Sequence, residues 1–250
     1  MSLCPPETYP YTIRPGDSLW LIAQRFHMTP QTILSVNPML DGTNLRIGQI
    51  ICIPKECNFR RMPSQLFSGG IGDAEQRLSN QMRLLWEQHV YWTRLFILST
   101  VFGLPDTNLV ASRLLRNPKD FEAVFLQFYG EDAAAKFAEL FTSHLTIAAE
   151  LVNAAKAGDS GKAADAENRW YANADEIAAF LGSINPYWSA QEWREMLRNH
   201  LAMTKAEAVA FLTQKYEDSI SVFENIEQEA LVMADVMTQG LVRQHPQYFQ

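Results

Sequence analysis

Cysteine is scarce in this chain of 250 residues and confined to one end: Cys4, Cys52 and Cys57 are all there is. A Cys-His peptidase or amidase is thereby excluded from everything beyond residue 57. Basic charge is in deficit as well. The net charge is −7, and residues after 57 hold 17 basic against 24 acidic side chains, so nucleic acid and anionic membrane surfaces are poor partners. No apolar run approaches the roughly 18 residues of a membrane span. The opening Met-Ser-Leu-Cys-Pro-Pro-Glu lacks a basic segment followed by an apolar one, so no signal peptide is expected. Hydrolase and kinase signatures are missing too. There is no nucleophile elbow and no acid followed by the Gly-rich segment of a lysozyme-like transglycosylase. Gly69, Gly70 and Gly72 precede a helical pattern without the strand, Lys or Ser/Thr of a phosphate loop, and read as a hinge.

Glycine and proline are themselves absent from four long stretches, 73–102, 131–157, 162–181 and 187–239. Breakers fall between them at Gly103/Pro105, Pro118, Gly130, Gly158/Gly161 and Gly182/Pro186. Ser189 followed by Glu192, and Thr204 followed by Glu207, have the spacing of capping boxes; the second marks a kink or break near residue 203. The pattern predicts four long helices with two or three short ones, an all-α up-and-down bundle over 73–245.

The first 57 residues read differently. Tyr11 and Ile13 alternate as a short strand, broken at Pro15-Gly16, with Asp17 or Ser18 where a helix wants its N-cap. Leu19, Trp20, Ile22, Ala23 and Phe26 recur at helical spacing. Thr29-Pro30 starts a second helix, Ile33, Leu34 and Val36 give it an apolar face, and Asn37-Pro38 stops it. Gly48-Gln49 then leads into Ile50-Ile51-Cys52-Ile53, a β-branched run closed by Pro54. The order is strand, helix, helix, strand, a small α+β module.

Residues 11–54 resemble a LysM domain, on Tyr11-Thr12-Ile13, Pro15-Gly16-Asp17-Ser18-Leu19-Trp20, Ile22-Ala23, Asn37-Pro38, Leu45, Gly48-Gln49 and Ile53-Pro54. The resemblance implies a shallow groove for N-acetylglucosamine polymers, peptidoglycan or chitin. One wall would be Gly16, Asp17, Ser18 and Leu19; the other Asn37, Pro38, Met39, Leu45, Arg46 and Ile47. An acetamido sugar offers an amide for backbone pairing and a methyl for burial, and needs no charge. Residues 1–57 are formally neutral, with four basic and four acidic side chains. Leu19, Trp20 and Ile22 would also be needed for a small core whether or not sugar binds, and Trp20 is read as core.

The cysteines belong to this module. Cys4 precedes the first strand and Cys52 lies on the last, and the two strands should be antiparallel neighbours. Cys4 could close through Cys52 or through Cys57, the former being favoured, and a loop of that length would add about 3–4 kcal/mol in the chain-entropy model. Free thiols are the alternative. His27 has no metal spacing to them.

In the helical part, polar residues fall on apolar stripes. His89 follows Leu78, Met82 and Leu85; His144 follows Phe137 and Leu140; Asn173 sits with Trp170 and Ile177, with Glu176 at the stripe edge. Glu227 falls in line with Tyr216, Ile220, Phe223, Ala230 and Ala234, with Glu224 beside it. Each lies near the middle of its helix. His89, His144, Glu176, Glu224 and Glu227 could therefore meet and hold Fe, Mn or Zn, as in ferritin-like or hemerythrin-like bundles with oxidase or storage activity. The paired Glu-x-x-His signature is missing: Trp86 and Phe141 stand three before the histidines. A hydrogen-bonded polar layer that fixes helix register explains the same residues. His200 is read as a cap or surface residue, and Tyr187-Trp188 as an exposed aromatic pair or a plug at the bundle end.

The helical region also resembles an uncharacterised domain of LysM proteins from spore-forming bacteria, on Trp86-Glu87-Gln88-His89-Val90-Tyr91-Trp92-Thr93-Arg94 and Trp170-Tyr171-Ala172-Asn173-Ala174-Asp175-Glu176. The expectation is a LysM glycan-binding module at 1–57, a linker at 58–72 and a bundle at 73–245. Together these make a non-catalytic peptidoglycan-binding protein of the spore envelope or cell wall, reached without a signal peptide. The bundle would bind a protein partner or self-assemble.

Overall fold

A computed structural model describes residues 4–5, 8–14, 17, 19–26, 28, 30–37, 40, 45–55 and 72–249. The chain divides into two compact units, Met1–Gly70 and Ile71–Gln250.

In the first unit, β1 (Thr8–Thr12) is followed by α1 (Leu19–Arg25), α2 (Pro30–Ser35) and β2 (Ile50–Pro54). β1 and β2 pair antiparallel in the register Tyr9↔Ile53, Pro10↔Cys52 and Tyr11↔Ile51. Because side chains alternate along a strand, Tyr9, Tyr11, Ile51 and Ile53 share one face. They pack there on Ile22, Ala23, Met28 and Ile33 of the helical side. Cys52 takes the other face and is bonded to Cys4, the favoured pairing, with Cα atoms 5.5 Å apart. Pro10 is tolerated because a two-stranded sheet has only edges. Gly48 turns the chain into β2 at φ +83, and the pairing continues past β1 through Gly48 N–H to Ile13 O (2.8 Å) and Ile13 N–H to Gln49 O (2.8 Å).

The second unit holds α3 (Asp73–Phe102), α4 (Thr107–Leu114), α5 (Asn117–Lys156), α6 (Ser160–Ile184), α7 (Ala190–Leu212) and α8 (Tyr216–Gln244). α5 is two helical segments joined at Gly130, whose φ of 79 and ψ of 179 are open to glycine alone. Successive helices α5 to α8 pack on their neighbours in sequence, and α3 closes the ring between α8 and α5. Ser189 caps α7 by accepting from Glu192 N–H at 3.3 Å, as its spacing predicts. The break expected near residue 203 is not there. α7 runs through Thr204, which is buried, and ends at Leu212; the turn uses Gln214 at φ +61. Glu207, three residues after Thr204, is held by Arg94 of α3 instead of capping a helix.

Trp188 is the plug: it is 2% exposed, donates to Val236 O at 3.2 Å and lies against Gly240, while Tyr187 remains exposed. Among the described residues, no helix is long and apolar enough to cross a membrane.

Candidate functional site

The groove residues predicted from the sequence divide into those that hold the module together and those that face solvent. Asp17 is of the first kind. Its carboxylate accepts from the Tyr11 hydroxyl (2.7 Å) and from Arg14 N–H (2.8 Å), and Arg25 lies at 3.3 Å, also bonded to the Tyr11 hydroxyl. The Asp17 side chain is 4% exposed. This knot ties the loop after β1 to the last turn of α1. Burial, reinforced by the Asp17 bond, raises the Tyr11 hydroxyl above the ordinary phenol range and keeps it a donor.

Asn37 does the corresponding work on the other wall. Its side-chain N–H groups donate to Ile33 O and Cys52 O, both at 2.7 Å, and its Oδ1 accepts from Cys52 N–H at 2.8 Å. Cys52 forms a non-hydrogen-bonded pair with Pro10, so its N–H and C=O point away from β1 and are met by a side-chain amide in place of a third strand. One residue thereby ends α2 and seals the outer edge of β2.

Leu19 is buried in the small core and Leu45 is half-buried, whereas Arg46 and Ile47 are exposed, Ile47 to 70%. The Arg46–Gln49 turn is held by Gln49 N–H to Arg46 O and Arg46 N–H to the Gln49 side chain. Gly16, Ser18, Pro38 and Met39 lie outside the described residues, as do His27, Cys57, residues 58–71 of the linker and the side chain of Trp20. Tyr11 and Arg25, the partners of Asp17, were not among the groove residues. Their signal in the sequence was Asp17 with Arg14, Arg25 and Tyr11 close to it along the chain.

This strand–helix–helix–strand module, closed by a disulfide, covers the residues that match the family model described as LysM domain, 11–54. Residues 11–54 are a LysM domain. That makes the first unit a carbohydrate-binding module of the chitin and peptidoglycan class. Over 50 residues the chain is 46% identical to a secreted LysM effector, Blys4, of Beauveria bassiana (strain ARSEF 2860). The alignment takes in 20% of this chain and 29% of that protein. No solved structure matches the chain.

The helical unit gathers histidines differently from the expected set. His89 and His144 are buried as predicted, but so is His200, which is neither a cap nor a surface residue. The His89 and His200 rings lie 5.6 Å apart. His144 Nδ1 is 2.9 Å from Asn173 Oδ1, and Asn173 donates to Leu140 O at 3.1 Å. Glu176 and Glu224 are exposed and Glu227 is at the surface, accepting from Tyr91. The core stripe of α8 runs Ile226, Glu229, Ala230, Met233 and Met237, so Glu229 points inward where Glu227 was expected. Its Oε1 accepts from Asn199 at 2.8 Å, and its Oε2 lies 3.4 Å from His200 Nδ1. Among the described residues, no three His, Cys, Asp or Glu side chains are grouped to hold a metal ion. The five predicted ligands therefore do not converge.

Burial disfavours the charged forms of His89, His144, Glu207 and Glu229. Burial pushes His144 down to about 3, against the pull of the Asn173 bond, and holds His89 well below the ordinary histidine range, helped by repulsion from His200 and His144. Burial raises the Glu229 carboxyl, with His200 and Asn199 pulling it back. Glu207 is raised to about 7 by burial despite Arg94, whose guanidinium lies over the rings of Phe211 and Phe223.

Proposed function

We propose that this protein is a non-catalytic glycan-binding protein of the spore envelope or cell wall, held on an N-acetylglucosamine polymer by its LysM domain. The observation that carries this is the LysM domain itself, complete from β1 to β2. The glycan would lie between the loop after β1, at Gly16, Asp17, Ser18 and Leu19, and the segments Asn37–Met39 and Leu45–Ile47. Asp17 and Asn37 would act through the shape of these walls, since their polar atoms are already bonded within the module. Ile47 would supply apolar contact to an acetamido methyl.

A single shallow module binds weakly, and several brought together bind tightly. Leu84, Tyr91, Leu95 and Phe102 are exposed and recur at intervals of seven, four and seven along α3, which places them in one line on the helix. This stripe supports self-assembly through the helical unit as the source of avidity.

Cosedimentation of the full chain with insoluble peptidoglycan and with chitin tests the proposal. Retention should be competed by soluble N-acetylglucosamine oligomers and fall at least several-fold in Ile47→Asp, with no release of sugar. Retention indifferent to the oligomers, or soluble fragments appearing with time, would overturn it.

A further inference from the structure

The helical unit contains two packed apolar clusters rather than one. The larger includes Leu151 and Trp170; the smaller includes Phe96, Leu114, Leu145 and Phe211. At the seam between them lies a cavity of about 130 Å³, lined almost wholly by apolar atoms from α3, α4, α5, α6 and α7. Five alanines at the seam, Ala148, Ala149, Ala155, Ala163 and Ala208, leave the space. Interiors pack too tightly for a void of this size to be ordinary, and a dry apolar cavity of about 150 Å³ is known to take up benzene.

Two of the lining residues, Trp170 and Thr204, are each at least 95% buried, and among the described residues neither Trp170 Nε1 nor Thr204 Oγ1 has a hydrogen-bond partner. Buried donors of this kind call for an acceptor. On the α6–α7 side of the lining, Val209 is exposed and Lys205 Nζ pairs with Glu167 Oε1 at 2.5 Å. An ion pair that is partly solvated, at 44% and 29% exposure, can part without stranding a buried charge.

We propose that this cavity is a binding site for a small uncharged molecule: an apolar body about the size of one six-membered ring, carrying a single oxygen acceptor for Trp170 and Thr204. The site belongs to the helical unit and does not depend on glycan binding.

Cyclohexanone is a suitable probe, titrated into full-length ¹⁵N-labelled protein with the Trp170 indole N–H assigned through Trp170→Phe. The expected result is a saturable shift of that resonance. Thr204→Val should weaken binding about fivefold, the worth of one net hydrogen bond. Ala163→Leu, which fills the void from a half-buried position, should abolish binding while the protein stays folded by thermal melting. Cyclohexane-saturated buffer should shift the Trp170 N–H less than cyclohexanone does. No saturable shift, or binding that survives Ala163→Leu, would overturn the proposal.

Discussion

The two units treat buried polar groups in opposite ways. In the LysM domain, Asp17 and Asn37 satisfy their partners several times over, and a disulfide closes the module. In the helical unit, the indole N–H groups of Trp86, Trp170 and Trp193 are buried without a hydrogen-bond partner among the described residues. The difference follows size. A module of about fifty residues has too little apolar core to offset unmet polar groups and needs covalent help. A bundle with more than thirty buried residues in one apolar cluster can carry them. The small unit thus ties down its polar side chains, and the large one retains a polar interior.

The sharpest way to break this contrast is to remove the staple. Cys4 and Cys52 are 48 residues apart in sequence, and closing a loop of that length contributes about 4 kcal/mol in the chain-entropy model. Cys4→Ser with Cys52→Ser should leave the LysM domain largely unfolded at 37 °C. The helical unit contains no cysteine, so calorimetry should show its transition unmoved.

Next in size is the clamp at the edge of β2. Asn37→Ala removes three hydrogen bonds, two of them to the backbone of Cys52, a loss of about 3 kcal/mol at about 1 kcal/mol each. Denaturant titration should register it, and the Cys52 amide should exchange with solvent far faster. If Asn37→Ala were as stable as the wild type, the claim that the module depends on satisfied polar side chains would fail.

In the helical unit the corresponding sensitivity is steric. A Cβ on Gly240 would stand 1.8 Å from Trp188 Nε1, and Trp188 is fixed by its bond to Val236 O. Overpacking costs about 1–3 kcal/mol, at its upper end here, while alanine favours the helix over glycine by about 1 kcal/mol. The net expectation for Gly240→Ala is a loss of about 2 kcal/mol, read by thermal melting with a change in near-ultraviolet tryptophan signal.

These positions differ in how far the sequence disclosed them. The LysM domain was legible in the order of its elements, because a short module carries its turn chemistry in a few residues: Asn37 after α2 and Gly48 before a β-branched run. Helix ends marked by glycine were legible for the same reason. What failed was phase. A heptad-like stripe on α8 can be drawn through Glu227 or through Glu229, and only packing against α3 and α7 chooses the second. Thr204 failed because a capping-box spacing also occurs inside a helix when Glu207 has a buried arginine to meet. His200 failed because its partner, Glu229, was not on the expected stripe.

The smallest effect distinguishes the polar layer most directly from the LysM knots. His144 sits at about 3 when folded against 6.5 for an ordinary histidine, so the unfolded chain binds the extra proton between those values and stability falls as pH drops through them. Glu207 has the opposite sign: at about 7 when folded against 4.5, it loses stability as pH rises from 4.5 to 7. The two oppose each other between pH 4.5 and 6.5, so the wild-type profile alone hides both. His144→Gln keeps a polar side chain for Asn173 and removes one titration. Relative to the wild type, its stability should rise by about 1.6 kcal/mol on going from pH 6.5 to 5, at 1.36 kcal/mol per unit once the unfolded histidine is titrating. A difference between the two proteins that stays constant over that range would mean that His144 takes up its proton in the folded state, and that the bundle core is as well solvated as the LysM surface.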